Sequence, residues 1–280
     1  MVDRGDWVLT DAEMDELRSA YQSLEHPSFA ARLSDVLATP IEEMLSLLPK
    51  NWRRKVEHGA QNSAYISLKL AMNTMVDLQP APAQPRTHQM LAAGMGALGG
   101  FFGPLSTLAE LPFTTGLILR SIADIARSEG EDLSRRESRI ACVQVFALGG
   151  RTHDDEAAEL GYYGLRLVLG MHFERHMLEY AASAEAAQLP AFVQLTRAIA
   201  ARFGVVISDK TAAQMVPIAG AVTGALLNLI FIQHYQDVAR GHFVVRRLER
   251  KYGADVIRQA YTRLEIEEEE AEDYSPLEGW

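Results

Sequence analysis

The sequence predicts an all-α fold, a multi-helix bundle of roughly nine helices with a glycine-rich apolar central helix pair. Three observations predict it. Ala, Leu, Glu, Arg and Met dominate, and runs of alternating β-branched residues are scarce. Helix start and stop signals recur along the whole chain. Two long segments, 91–119 and 212–232, carry between them one formal charge, Glu110.

The elements follow in order. Thr10 caps a first helix, with Glu13 three residues on as a capping box requires. Thr39-Pro40 opens another, with Glu42 and Glu43 near the positive end of its dipole. Residues 51–78 continue as a long amphipathic helix, and QPAPAQP at 79–85 breaks it as a linker. Residues 87–103 and 105–128 read as two helices interrupted at Gly103-Pro104. Gly130 and Asp132 end that pattern, Ser134 caps 135–148, and Gly149-Gly150 breaks again. Asp154 or Asp155 caps a helix to about 186. Leu189-Pro190 precedes one that ends near Gly204. Ser208 or Asp209 caps the next, which runs through Pro217 to about 251, and Gly253 precedes the last. The boundaries divide the chain into a helical arm, 1–78, partly in the main domain, a helical domain, 87–263, and a mobile acidic tail, 264–280.

Charge sharpens the last boundary. The net charge is −10, and residues 265–280 hold Glu265, Glu267, Glu268, Glu269, Glu270, Glu272, Asp273 and Glu278 with no base. The remainder carries 29 acids against 27 bases and has no basic face for nucleic acid. The lone cysteine, Cys142, excludes an internal disulfide and a multi-cysteine zinc site, and it fits a reducing compartment. The opening MVDRGDWVLT has acids where a secretory signal would carry bases, so a cytoplasmic location is expected.

The apolar segments are long enough for membrane spans, but their composition opposes simple spans. The first is cut by Pro104 and Pro112 and contains Glu110; Gln214, Thr223 and Asn228 interrupt the second. Small residues recur at every fourth position, in the pairs Gly96/Gly100, Gly99/Gly103 and Gly220/Gly224, where missing side chains let helix backbones approach closely. Two readings follow: a buried central hairpin of a bundle, or an element that accommodates lipid. Arg240, Arg246, Arg247, Arg250 and Lys251 after the second segment form a basic amphipathic stretch suited to anionic lipid, at the inner face of the membrane.

The stretch GGFFGPLSTLAELPFTTGLILRSIADIARSEGED, Gly99 to Asp132, resembles the signature region of the EcsC family of bacterial proteins. Gly161-Tyr162-Tyr163 with Arg166, and PIAGAVTGALLN at Pro217 to Asn228, extend the resemblance, which covers about residues 50–250, most of a domain of ordinary size. It implies a helical, cytoplasmic, membrane-associated protein and supplies no substrate. A peptidase label carried by some relatives adds a metal-dependent hydrolase as an alternative.

Chemistry-bearing constellations are few. His172 and His176 lie one helical turn apart and could share a metal, with Glu179 and His153 nearby in sequence, but the zincin pattern is absent. Glu110, inside an apolar run, needs a partner; Arg120 and Arg166 are candidates, Arg120 also stands four residues from Asp124, and Tyr162 and Tyr163 complete a candidate buried polar cluster. No nucleophile elbow or Walker sequence occurs, Gly94, Gly96 and Gly99 follow no strand, and Cys142 sits in an apolar helix as core. No cofactor is expected. The reading is a non-catalytic protein that meets membrane or an apolar ligand through its glycine-rich helices; the alternatives are a cytosolic adaptor for a protein partner and the hydrolase.

Overall fold

The computed structural model describes residues 9–26, 29–74, 85–99, 104–150, 161–182, 190–215 and 220–273. Among them there are eleven α-helices and no strand. They are α1 (Asp11–Glu25), α2 (Phe29–Leu37), α3 (Ile41–Ser46), α4 (Trp52–Thr74), α5 (Pro85–Gly99), α6 (Pro104–Ser128), α7 (Arg136–Leu148), α8 (Gly161–Ala182), α9 (Pro190–Ala213), α10 (Gly220–Tyr252) and α11 (Ala254–Asp273).

Local chemistry explains several boundaries. Thr10 accepts the Glu13 N–H while the Glu13 carboxylate accepts the Thr10 N–H, the reciprocal capping box expected there. Gly130, at φ 81, ends α6 with the Glu131 N–H bonded to the Ala126 carbonyl, a Schellman closure. Gly253, at φ 94, turns the chain from α10 into α11, a conformation an L side chain would strain.

Other signals resolve differently. The Thr39 hydroxyl bonds to the Leu37 carbonyl, and α3 starts without a side-chain cap. The Ser134 hydroxyl goes to Asp132 and α7 starts after Arg135. Gly204 ends nothing: α9 runs through it to Ala213, and a Cβ there would make only ordinary contact with Ala60. Ser208 and Asp209 lie inside α9, where the Ser208 hydroxyl bonds back to the Gly204 carbonyl, so neither caps α10. α2 has no counterpart in the expected elements; its FAARLSDVL buries Phe29, Leu33 and Leu37 on one face.

α10 is the hub. It packs against α5, α1, α6, α7, α2 and α11, while α9 packs against α4, α8, α3, α7 and α2 on the other side. Where the two groups meet, Phe146, Phe203, Phe231 and Tyr235 form an aromatic centre, with Phe146 and Phe203 edge to face at 5.0 Å. Cys142 is fully buried in α7 and burial pushes its thiol well up, as core packing requires. Residues 264–273 are the final turns of α11, held to α1 where Glu268 accepts hydrogen bonds from Tyr21 and His26. No helix among the described residues is long and apolar enough to cross a membrane.

Candidate functional site

Tyr162, Tyr163 and Arg166 come together at the start of α8. The Arg166 guanidinium grips both oxygens of Glu249, at 2.8 and 2.7 Å, and reaches the Tyr162 hydroxyl at 3.3 Å. Tyr163 donates to the same carboxylate at 3.1 Å. The Tyr162 hydroxyl, already accepting from Arg166, donates to His242 Nδ1 at 2.9 Å. That assignment places the His242 proton on Nε2, a buried atom with no partner among the described residues. Burial, with the nearby charges of Arg166 and Arg246, pulls His242 well below the ordinary histidine range, so the ring is neutral. Burial pushes the Tyr162 phenol up to about 12. Glu25 of α1 ties the cluster in: it accepts the Tyr162 N–H at 2.9 Å and the Tyr261 hydroxyl at 2.8 Å.

The other members of the expected cluster lie elsewhere. Asp124 pairs not with Arg120 but with Arg127 and with His88 of α5, at 2.8 Å from Nε2. Burial works to raise its carboxyl, and the His88 and Arg127 hydrogen bonds outweigh it, so the carboxyl lies below its usual range. Arg120 is exposed on α6. Residues four apart share a helix face, so the neighbours decide this: His88 of α5 and Arg127 take Asp124, and Arg120, one turn earlier, stays exposed. The side chain of Glu110 lies outside the described residues, as do those of His172 and His176. Gly100 and Gly103 also fall outside; Gly96 and Gly99 are in α5, Gly220 begins α10, and Gly224 is buried in α10.

A second ion-pair cluster, not anticipated from sequence, centres on Glu131. Its side chain is 3% exposed and takes Arg246 at 2.7 Å, Arg250, and the Ser138 hydroxyl at 2.6 Å. Burial would raise the carboxyl; Arg246, Ser138 and Arg250 together hold it below the usual range. All five bases of the expected membrane-facing stretch are thus engaged in ion pairs within the chain: Arg247 pairs with Glu16 and Glu129, Lys251 with Glu13, and Arg240 with Asp237. Between α1 and α10 runs a groove of two adjoining hollows, about 210 and 230 Å³, with Ser19, Ser23 and Asp237 common to both. Asp237 there accepts from Arg32 at 2.8 Å and Arg240 at 2.7 Å.

These groups are arranged as buried or half-buried pairs that lock helices together. Among the described residues no three His, Cys, Asp or Glu side chains are placed to hold a metal.

The surface of α5 and α6 contrasts with this. Met90, Leu91 and Phe113 are 76%, 52% and 55% exposed. Gly94 and Gly116, in the first apolar segment, have open space where a Cβ would stand. Close backbone contact occurs at other glycines: a Cβ on Gly150 would lie 2.0 Å from the Arg202 carbonyl oxygen, and one on Gly241 would lie 3.0 Å from that of Ala20.

No curated protein and no solved structure matches the chain. One family model does, over residues 11–248, which carries the domain past the motifs of 50–250 and takes in α1, α2 and α3. With α1 joined to α8, α10 and α11 through Glu13, Glu16, Glu25 and Tyr21, that extent matches the packing, and the chain belongs to the EcsC protein family.

Proposed function

We propose that this chain is a non-catalytic helical protein that associates with a membrane or binds an apolar ligand through the helices of its glycine-rich segments. The observation that carries the reading is the outer surface of α5 and α6, where Gly94 and Gly116 face open space beside exposed Met90, Leu91 and Phe113. Large apolar side chains grouped on neighbouring helices mark a contact surface. α5 packs along α10, where Asn228 donates to the Ala92 carbonyl at 3.1 Å, and in this reading the two form the glycine-rich pair at the centre of the apolar region. A peripheral position on the inner face of the membrane follows from the same reading.

The adaptor alternative has thinner support. The surfaces such an adaptor would use, the N-terminal arm and the acidic stretch, meet each other: Tyr21 of α1 and His26 at its C-cap hold Glu268 of α11. The hydrolase alternative rests on the peptidase label of some relatives and on His172 and His176, whose side chains lie outside the described residues.

Native mass spectrometry of the gently purified chain, with flotation on vesicles of a bacterial lipid extract, tests the proposal. Bound lipid or co-flotation is expected. A lipid-free protein that stays at the bottom of the gradient would contradict it.

A further inference from the structure

The outer stripes of α5 and α6 have a charge pattern as well as an apolar one. On α5, Arg86, Met90, Leu91 and Gly94 are exposed; on α6, Phe113 and Arg120 are exposed, Gly116 between them is half-buried with open space where a Cβ would stand, and Leu117 packs partly against the core. The spacing is helical on both, so each helix turns one continuous strip outward while Ala92, Leu111, Ile118 and Ile122 point into the core. The two helices pack on each other, and the His88–Asp124 bond ties the first turn of α5 to the last turns of α6.

This face stands out in an acidic chain. The protein carries 37 acids against 27 bases, yet α5 contains no acid and α6 contains only Glu110 and Asp124. Asp124 is buried and paired with His88 and Arg127. Arg86 and Arg120 lie on the exposed strips themselves. Bare helix backbone at two glycines, three large apolar side chains and two guanidinium groups make a surface suited to the boundary between acyl chains and anionic head groups.

We infer that this α5–α6 face is the contact surface and that its partner is an anionic bilayer, entered shallowly by Met90, Leu91 and Phe113 while Arg86 and Arg120 engage lipid phosphates. The inference rests on the reading given under Proposed function and narrows it to one surface and one partner. No spanning helix is needed, which agrees with the lengths and composition of the described helices. The exposed pair Leu167 and Met171 on α8 lies outside this face and serves as its control.

Binding of the full chain to vesicles of pure phosphatidylcholine and of phosphatidylcholine with phosphatidylglycerol tests it. Wild type binds the phosphatidylglycerol vesicles more tightly, and added salt weakens that binding. The double variant R86S/R120S lowers binding to them by about 30-fold, because each base near an anionic surface contributes roughly fivefold. The variant M90S/L91S/F113S lowers binding to both vesicle types by more than about tenfold. L167S/M171S binds as wild type. All the substituted positions are exposed, and an unchanged circular dichroism melt verifies folding. If wild type binds but the α5–α6 variants bind as tightly, or L167S/M171S loses as much, this face is overturned and membrane association by another surface stands. Equal wild-type binding to the two vesicle types overturns the charge assignment. No wild-type binding to either overturns the inference, while bound lipid in the native mass spectrum would still uphold the broader reading.

Discussion

Burial pushes the Asp209 carboxyl up to about 7, and the nearby Glu42 charge adds to the effect. The folded chain therefore keeps a proton that the unfolded chain releases near pH 4. Stability is full below that value, falls as pH rises through the window from about 4 to about 7, and stays reduced above it. Asp209→Asn should flatten this slope and raise stability near pH 8 by about 2–4 kcal/mol relative to wild type, with little gain near pH 4, as urea melts at the two pH values will read. The Arg166–Glu249 pair makes a different prediction. Glu249→Gln leaves a half-buried guanidinium with a weaker partner and should destabilise by about 2–4 kcal/mol. Replacing both by methionine should recover much of that loss, because the cost lies in the uncompensated charge. If the double variant is as unstable as the single one, the pair is not the origin of the effect.

At the scale of elements, the glycines sort by what stands beside them. Gly94→Ala and Gly116→Ala place a methyl in open space on a helix and should each raise stability by about 0.5–1 kcal/mol. Gly150→Ala drives a Cβ into the Arg202 backbone and should destabilise by about 1–3 kcal/mol or more. Thermal melts of the three variants distinguish the two classes; equal effects would remove the distinction. Helix starts that depend on adjacent residues were legible: Thr10 with Glu13 forms its capping box, and Gly130 and Gly253 stand at helix ends with positive φ. Signals that tertiary packing can override were not. Gly204 and Ser208 resemble a stop and a start, yet α9 continues through both because its apolar faces meet α4, α8 and α7. α2 was missed since a nine-residue helix between two loops offers little periodicity.

At the scale of the whole molecule, the all-α class and the family were legible from composition and an ordered set of motifs, whereas the polar network was legible only in part. Tyr162, Tyr163 and Arg166 are neighbours on one helix, so their grouping follows from helical spacing. Their partners Glu249, His242 and Glu25 lie 83, 80 and 137 residues away, at separations no local pattern encodes. The basic stretch after the second apolar segment illustrates the same limit: Arg246 and Arg250 are drawn onto Glu131 and do not form an outward basic face. That redirects the membrane reading to α5 and α6, which pack on α10 and leave Arg86, Met90, Leu91, Phe113 and Arg120 exposed. The most direct measurement is hydrogen–deuterium exchange of the full chain with and without phosphatidylglycerol-containing vesicles. Slowed exchange in peptides covering 86–94 and 113–120, with 161–171 unchanged, is the predicted result; unchanged exchange over both α5 and α6, or slowing confined to α8, would contradict it.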